Sequence, residues 1–209
     1  SLALGFTFTG VGNYKDDWIS VGYFYGKPID ESLREEHGME VLFPYMVDVF
    51  RKYYVQHKSE RKNFFVRYPV LQTFVNDLSD KLIDKVLNKL GSIAERCPAY
   101  HRKNTLYEMA PKSDHIVHHS YVSGEGWLIP GEIYDHAEEG VNSFIIVQPF
   151  GCLPNHITGR GMIKRMKEDL PHIQILSLDY DPDTSQANIE NRLQMLIINA
   201  REMEKRSRA

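Results

Sequence analysis

The sequence predicts an α/β protein: a parallel sheet with Rossmann-like βαβ units in its C-terminal part, preceded by a mostly helical region. Two observations carry this. The last third alternates short apolar runs with amphipathic stretches, and its run Phe144-Ile145-Ile146-Val147 is apolar throughout, as a strand covered on both faces of a parallel sheet must be. The first half instead repeats apolar residues at spacings of three and four, the period of amphipathic helices. The expected division places residues 1–110 in a mostly helical region with an N-terminal strand, and residues 111–209 in the α/β region.

Residues 5–25 mix aromatics with glycines, and their best strand is Trp18-Ile19-Ser20-Val21-Gly22-Tyr23-Phe24-Tyr25, rich in β-formers. A helix is expected from Asp30, an N-cap followed by Glu31, Glu35 and Glu36, with a break at Gly38 and Pro44. Met46, Val49, Phe50, Tyr53 and Tyr54 mark a second helix. Arg51, Lys52, Lys58, Arg61, Lys62 and Arg67 read either as an anion patch or, more simply, as a solvated helix end and loop. Pro69 opens a third helix whose stripe (Leu71, Phe74, Val75, Leu78, Leu82, Ile83, Val86, Leu87, Leu90) is expected to pack, with Gly91 closing it.

Beyond Pro111, Ile116-Val117-His118-His119 reads as a short strand. Gly124-Glu125-Gly126 leads into a helix from Trp127 to Glu139, ended by Gly140. The strand at 144–148 follows, then the turn-rich loop Pro149-Phe150-Gly151-Cys152-Leu153-Pro154-Asn155-His156. A helix is expected from about Thr158 to Leu170, a strand at 173–178, a loop from Asp179 to Asp183, and a last helix from Ser185 past Ile198. Parallel strands joined by right-handed crossovers put both polar loops, with Cys152 and with Asp179, on one sheet edge, and such edges bind ligands.

Composition narrows the function. With 209 residues, 42% hydrophobic and 25% charged, the chain suits a folded protein and excludes a collagen-like or disordered one. The formal net charge of -3 offers no basic excess to gather nucleic acid, and no apolar run approaches the ~20 residues of a membrane-spanning helix. Neither nucleic acid nor membrane is an expected partner. Cys97 and Cys152 form neither a disulfide framework nor a Cys-x-x-Cys signature, which points to the cytoplasm. The opening Ser1-Leu2-Ala3-Leu4 lacks Met; Ser1 reads as a cloning remnant and the whole as a piece of a longer protein.

Cys152 stands in the most unusual loop. Near the start of a helix its thiolate would be favoured, so it reads as a nucleophile, a redox thiol or a metal or iron–sulfur ligand, against the plainer role of a small buried residue. His156, four residues on, reads as its base or fellow ligand, or as a helix cap. Of His115, His118 and His119, the first and second share a face only if the segment is helical; a strand sends His118 and His119 to opposite faces and disfavours zinc there. Gly159-Arg160-Gly161, at the front of the next helix, reads as a weak anion cradle. Gly124-x-Gly126 lacks the Gly-Lys-Ser/Thr of a Walker loop. Asp179, Asp181 and Asp183 lack the downstream residues of an EF-hand, so capping by Asp183, Thr184 or Ser185 is simpler.

From Gly124 to about Ala200 the chain resembles the carboxy-terminal part of the CoA-substrate-specific enzyme activases, relatives of the 2-hydroxyacyl-CoA dehydratase subunits. The residues that carry it are Gly124-Glu125-Gly126-Trp127-Leu128, Gln148-Pro149-Phe150-Gly151-Cys152-Leu153-Pro154-Asn155-His156-Ile157, Leu178-Asp179-Tyr180-Asp181, Asn188 and Asn191-Arg192-Leu193, over roughly 75 residues. The resemblance implies a dehydratase-like module serving low-potential electron transfer on CoA thioesters, with Cys152 one thiolate ligand of a [4Fe-4S] cluster. Cys97, in Arg96-Cys97-Pro98, matches no ligand spacing. The cluster is therefore expected only in a full-length protein and not in this piece alone, which would be inactive by itself and would dock the remainder of its parent chain or a dehydratase-like partner. The alternative is an anion- or CoA-binding module without redox chemistry, using Gly159, Arg160 and Gly161; a third reading is a thiol enzyme using Cys152 and His156.

Overall fold

The computed structural model describes residues 2–6, 23–24, 27–28, 33, 36–42, 46–97, 100, 104–149, 151–180 and 185–208. In chain order these form β1 (Leu2–Phe6), β2 (Tyr23–Phe24), β3 (Lys27–Pro28), β4 (Val41–Leu42), α1 (Met46–Asn63), α2 (Val70–Ala94), α3 (Leu106–Met109), α4 (Leu128–Glu138), β5 (Ser143–Pro149), α5 (Ile163–Asp169), β6 (Gln174–Tyr180) and α6 (Gln186–Arg208). The architecture is mixed α/β. β5 and β6 pair in parallel over their whole length, from Ser143↔Gln174 to Pro149↔Tyr180. β1 lies parallel on the other side of β5, and the short β4 parallel beyond it, giving the order β4-β1-β5-β6. β2 and β3 form a separate antiparallel pair.

The unbroken apolar run in β5 follows from burial on both sides. Phe144 and Ile146 pack with Ile129 and Ile133 of α4 and Met166 of α5. Ile145 and Val147, pointing the other way, pack with Leu178 of β6 and with Ile189, Leu193, Leu196 and Ile197 of α6. A third cluster around Trp127, which is fully buried, joins Val55 of α1 to Leu106 and Met109 of α3. Among the described residues, no helix is long and apolar enough to cross a membrane.

Most expected elements of the last third form where the periodicity places them, and Gly140 (φ +92°) follows α4 as its C-terminal stop. Gly38 (φ +65°) lies just before β4. The strand expected at 18–25 lies outside the described residues except for Tyr23–Phe24, which form β2. The helix expected from Asp30 lies outside them apart from Leu33 and the turn after it, as do Asp181, Asp183 and Thr184.

Four expectations are corrected. The segment 116–119 is no strand: the amides of Ile116 and Val117 both donate to the Ser113 carbonyl (2.9 and 2.8 Å), closing tight turns after the 3-10 helix Ala110–Ser113. The helix expected at Thr158 begins at Leu153, runs through a π turn, Asn155–Gly159, and a 3-10 turn, Arg160–Met162, and only then enters α5. Gly91 does not close α2, which continues to Ala94. Most decisively, α2 is turned over. Leu71, Phe74, Leu78, Leu82, Val86 and Leu90 are all exposed, at 45–73%, while Asp80 is 1% exposed.

The cause lies in α1. Its Arg51 and Lys52 are buried rather than solvated, and a buried cation demands carboxylates more strongly than a leucine demands cover. Asp80 accepts from Arg51 at 3.0 Å and from Lys58 at 2.6 Å, Asp84 also pairs with Arg51, and Asp77 meets Arg61 at 3.3 Å. The start of the basic stretch is thus no solvated patch: Arg51 and Lys58 are neutralised internally by the charged face of α2, while Arg61, Lys62 and Arg67 are exposed at the helix end and loop as expected.

Candidate functional site

The register of β5 on β6 sets Gln148 opposite Asp179 at the carboxyl edge of the sheet. Gln148 is fully buried, and its amide nitrogen donates to Asp179 Oδ1. Beyond β5 the chain turns at Gly151 (φ +76°), and Cys152 follows, half-buried. The Cys152 amide donates to the Pro149 carbonyl at 3.2 Å, and its own carbonyl receives the His156 amide at 3.0 Å. This closes the first helical turn and carries Asn155 back over the loop.

Asn155 is fully buried, and its side-chain nitrogen donates to Cys152 Sγ at 3.0 Å. His156 Nδ1 bonds the Cys152 carbonyl at 2.8 Å, and its Nε2 faces Asp179 Oδ1 at 4.0 Å. Arg160 donates to Asp179 Oδ2 at 2.9 Å while remaining 56% exposed. Asp179 therefore gathers Gln148, His156 and Arg160, and the thiol stands beside that group on the same edge. The amide oxygens of Gln148 and Asn155 are buried with no hydrogen-bond partner among the described residues. Buried acceptors of this kind call for a donor from water or a ligand.

Two glycine motifs are tied into this edge by close packing. A Cβ on Gly124 (φ +55°) would lie 2.3 Å from Pro154 Cγ, so the Gly124-Glu125-Gly126 turn rests directly on the cysteine loop. Gly126 (φ +57°) lies under the Tyr121 carbonyl, 2.1 Å from where its Cβ would be. Glu125, between them, is buried; desolvation pushes its carboxyl above the ordinary range, opposed by the charge of Lys52. Lys52 is itself buried, donates to the Val122 carbonyl at 3.0 Å, and is pushed below its ordinary range by the same desolvation.

Gly159, Arg160 and Gly161 do not stand at a helix front. Gly159 is buried inside the π turn, where a Cβ would lie 3.4 Å from Ile146 Cγ2, and a Cβ on Gly161 would lie 2.9 Å from the His156 carbonyl oxygen. The Arg160 amide is spent on the carbonyls of Asn155 and His156. What reaches the edge from this motif is the Arg160 guanidinium.

The edge brings together Cys152, His156, Asp179 and Arg160, which the sequence singled out on separate grounds, with Gln148 and Asn155, which it did not. The spacing Cys152-x-x-Asn155 is the signal that, once the helical start is moved back to Leu153, finds the second. Comparison with family models, with curated proteins and with solved structures finds no match for this chain.

The cluster implied by the resemblance can be tested against the donors present. A four-iron cluster takes four thiolates, and the chain has two cysteines, neither in a disulfide: Cys97 just past α2, and Cys152 at the sheet edge. The chain alone does not fit the whole group. One ligand position fits: a half-buried thiol with an amide donor on its sulfur, the type of hydrogen bond that tunes iron–sulfur ligands.

Proposed function

We propose that this chain is a Rossmann-like unit of a dehydratase-activase-like protein, whose β5–β6 edge contributes a single thiolate, Cys152, to a [4Fe-4S] cluster completed by cysteines outside the chain. The observation that carries the reading is the joint placement of Cys152, Asn155 and Asp179 at the carboxyl edge of parallel strands, where open α/β sheets take their ligands. Helices on both faces of the sheet, and a π turn at the loop, support it. The chain supplies a ligand, a hydrogen bond to that ligand and a docking surface, and is inactive alone. Two cysteines outside any disulfide suit the reducing cytoplasm.

The test is anaerobic purification of the natural full-length product, with iron and sulfide assayed in the wild type, Cys152→Ala and Cys97→Ala. Loss of iron in Cys152→Ala alone supports the ligand role; unchanged iron removes it. A second reading, an anion- or CoA-binding module, is favoured by one observation, the exposed guanidinium of Arg160 held by Asp179. Saturable CoA binding that Arg160→Ala abolishes, in protein whose iron content ignores Cys152, selects that reading.

A further inference from the structure

We propose that Asp114, His118 and His119 form a site for a borderline divalent cation of the zinc class. The site shares no residue with the sheet edge and does not rest on the reading above. One donor atom from each of the three residues lies within 4.8 Å of the other two, and all three residues are partly exposed, so a cation can enter.

The turns that replace the expected strand create this cluster. They fold residues 114–119 back so that the Asp114 carboxylate accepts from the His119 amide at 2.9 Å and meets His119 Nδ1 at 2.7 and 2.9 Å. The two imidazoles stack, 4.3 Å between centroids and 25° between planes, rather than pointing to opposite faces. His115 leaves the group: its Nε2 goes to Asp169 (2.9 Å) and to the Tyr134 hydroxyl (3.2 Å).

The outer partners suit ligation. A metal-bound histidine ordinarily donates its other ring N–H to a neighbouring acceptor, which fixes the tautomer. His119 Nε2 lies 2.7 Å from Ser59 Oγ of α1; without a cation Nδ1–H donates to Asp114, and a cation taking that proton's place shifts the N–H to Nε2, where the hydroxyl accepts it. Ser59 is held in turn by the Asn63 amide at 3.1 Å. The Ser120 amide donates to His118 Nδ1 at 3.1 Å and the Ser120 hydroxyl lies 2.8 Å from it, so that nitrogen bears the lone pair, which a cation takes over by displacing Ser120. Two imidazoles and one carboxylate favour zinc-like ions over magnesium or calcium, and three protein ligands leave a coordination position for water. The chain Ser59–His119–Asp114 also has the order of a nucleophile relay, but Ser59 is only 6% exposed, which keeps a substrate from its hydroxyl and leaves it a partner to the ring.

Calorimetric titration with zinc chloride tests this, on protein in which Cys97→Ser and Cys152→Ser remove thiolate competition. About one ion per chain is expected, with a rise in Tm on zinc addition. Since loss of an outer partner weakens a metal site by roughly 10–100-fold, His118→Ala and Asp114→Asn should each weaken it by at least about 100-fold, Ser59→Ala by about 10-fold, and His115→Ala not at all. Circular dichroism checks folding, and His118→Gln replaces His118→Ala if the latter unfolds. Absence of saturable binding, affinity unchanged in Asp114→Asn and in the His118 variant, or equal loss in His115→Ala overturns the proposal.

Discussion

Asp80 shows how much one carboxylate decides. It is 1% exposed and takes Arg51, Lys58 and the Tyr107 hydroxyl. Desolvation alone would raise its pKa, but the bonds from Lys58, Tyr107 and Arg51 outweigh this and hold it below the ordinary range. Its stabilising contribution is therefore full above the unfolded carboxylate pKa, near 3.9, and is lost as pH falls through the depressed folded value. Asp80→Asn strands Arg51 beside the remaining Asp84 and should cost about 3–5 kcal/mol in urea unfolding at pH 7; a change below 1 kcal/mol would mean the pair is not closed in solution. That prediction could not come from the sequence, where Asp80 is one of several charges on what reads as an outer helix face.

Gly126 is the second such residue. The sequence made it a helix lead-in without the marks of a Walker loop; the structure makes it a backbone necessity. Gly126→Ala meets both the left-handed φ, ~1–2 kcal/mol for an L-residue, and the Tyr121 carbonyl at 2.1 Å. Thermal melting should show a loss exceeding the conformational cost alone, whereas Gly140→Ala, with open space at its Cβ, should show only that cost.

At the scale of elements, β5, β6, α4 and α6 were legible because their burial is two-sided or one-sided in a way the apolar spacing records directly. α2 was legible as a helix and misread as to its face. Its carboxylates Asp77, Asp80 and Asp84 repeat at three and four just as its leucines do, and periodicity cannot say which stripe a neighbour will cover. The buried Arg51 and Lys52 of α1 decide it. Leu82→Glu on the outer stripe should accordingly change unfolding free energy by no more than ~0.5 kcal/mol; a loss of several kcal/mol would mean that the leucines, not the aspartates, face inward. The turns at 114–119 were misread for a different reason: two histidines after Ile116-Val117 look strand-like, and the Ser113 carbonyl that captures both amides is visible only in three dimensions.

At the scale of the whole molecule, the sheet converts distant residues into neighbours. Gln148 and Asp179 are 31 residues apart and meet through register, and Gly124 supports the loop of Cys152 through Pro154. The edge was legible from strand–helix alternation; the donors Gln148 and Asn155 were not, because neither residue type announces a site until the strand end and the π turn fix its direction. The most direct test is alkylation of the anaerobically purified natural protein, read by mass spectrometry at each cysteine before and after iron is removed by a chelator. The account predicts that Cys97 is labelled in both states, and that Cys152 is protected while iron is bound and labelled once it is removed. Equal labelling of Cys152 in iron-bound and iron-free protein would contradict it.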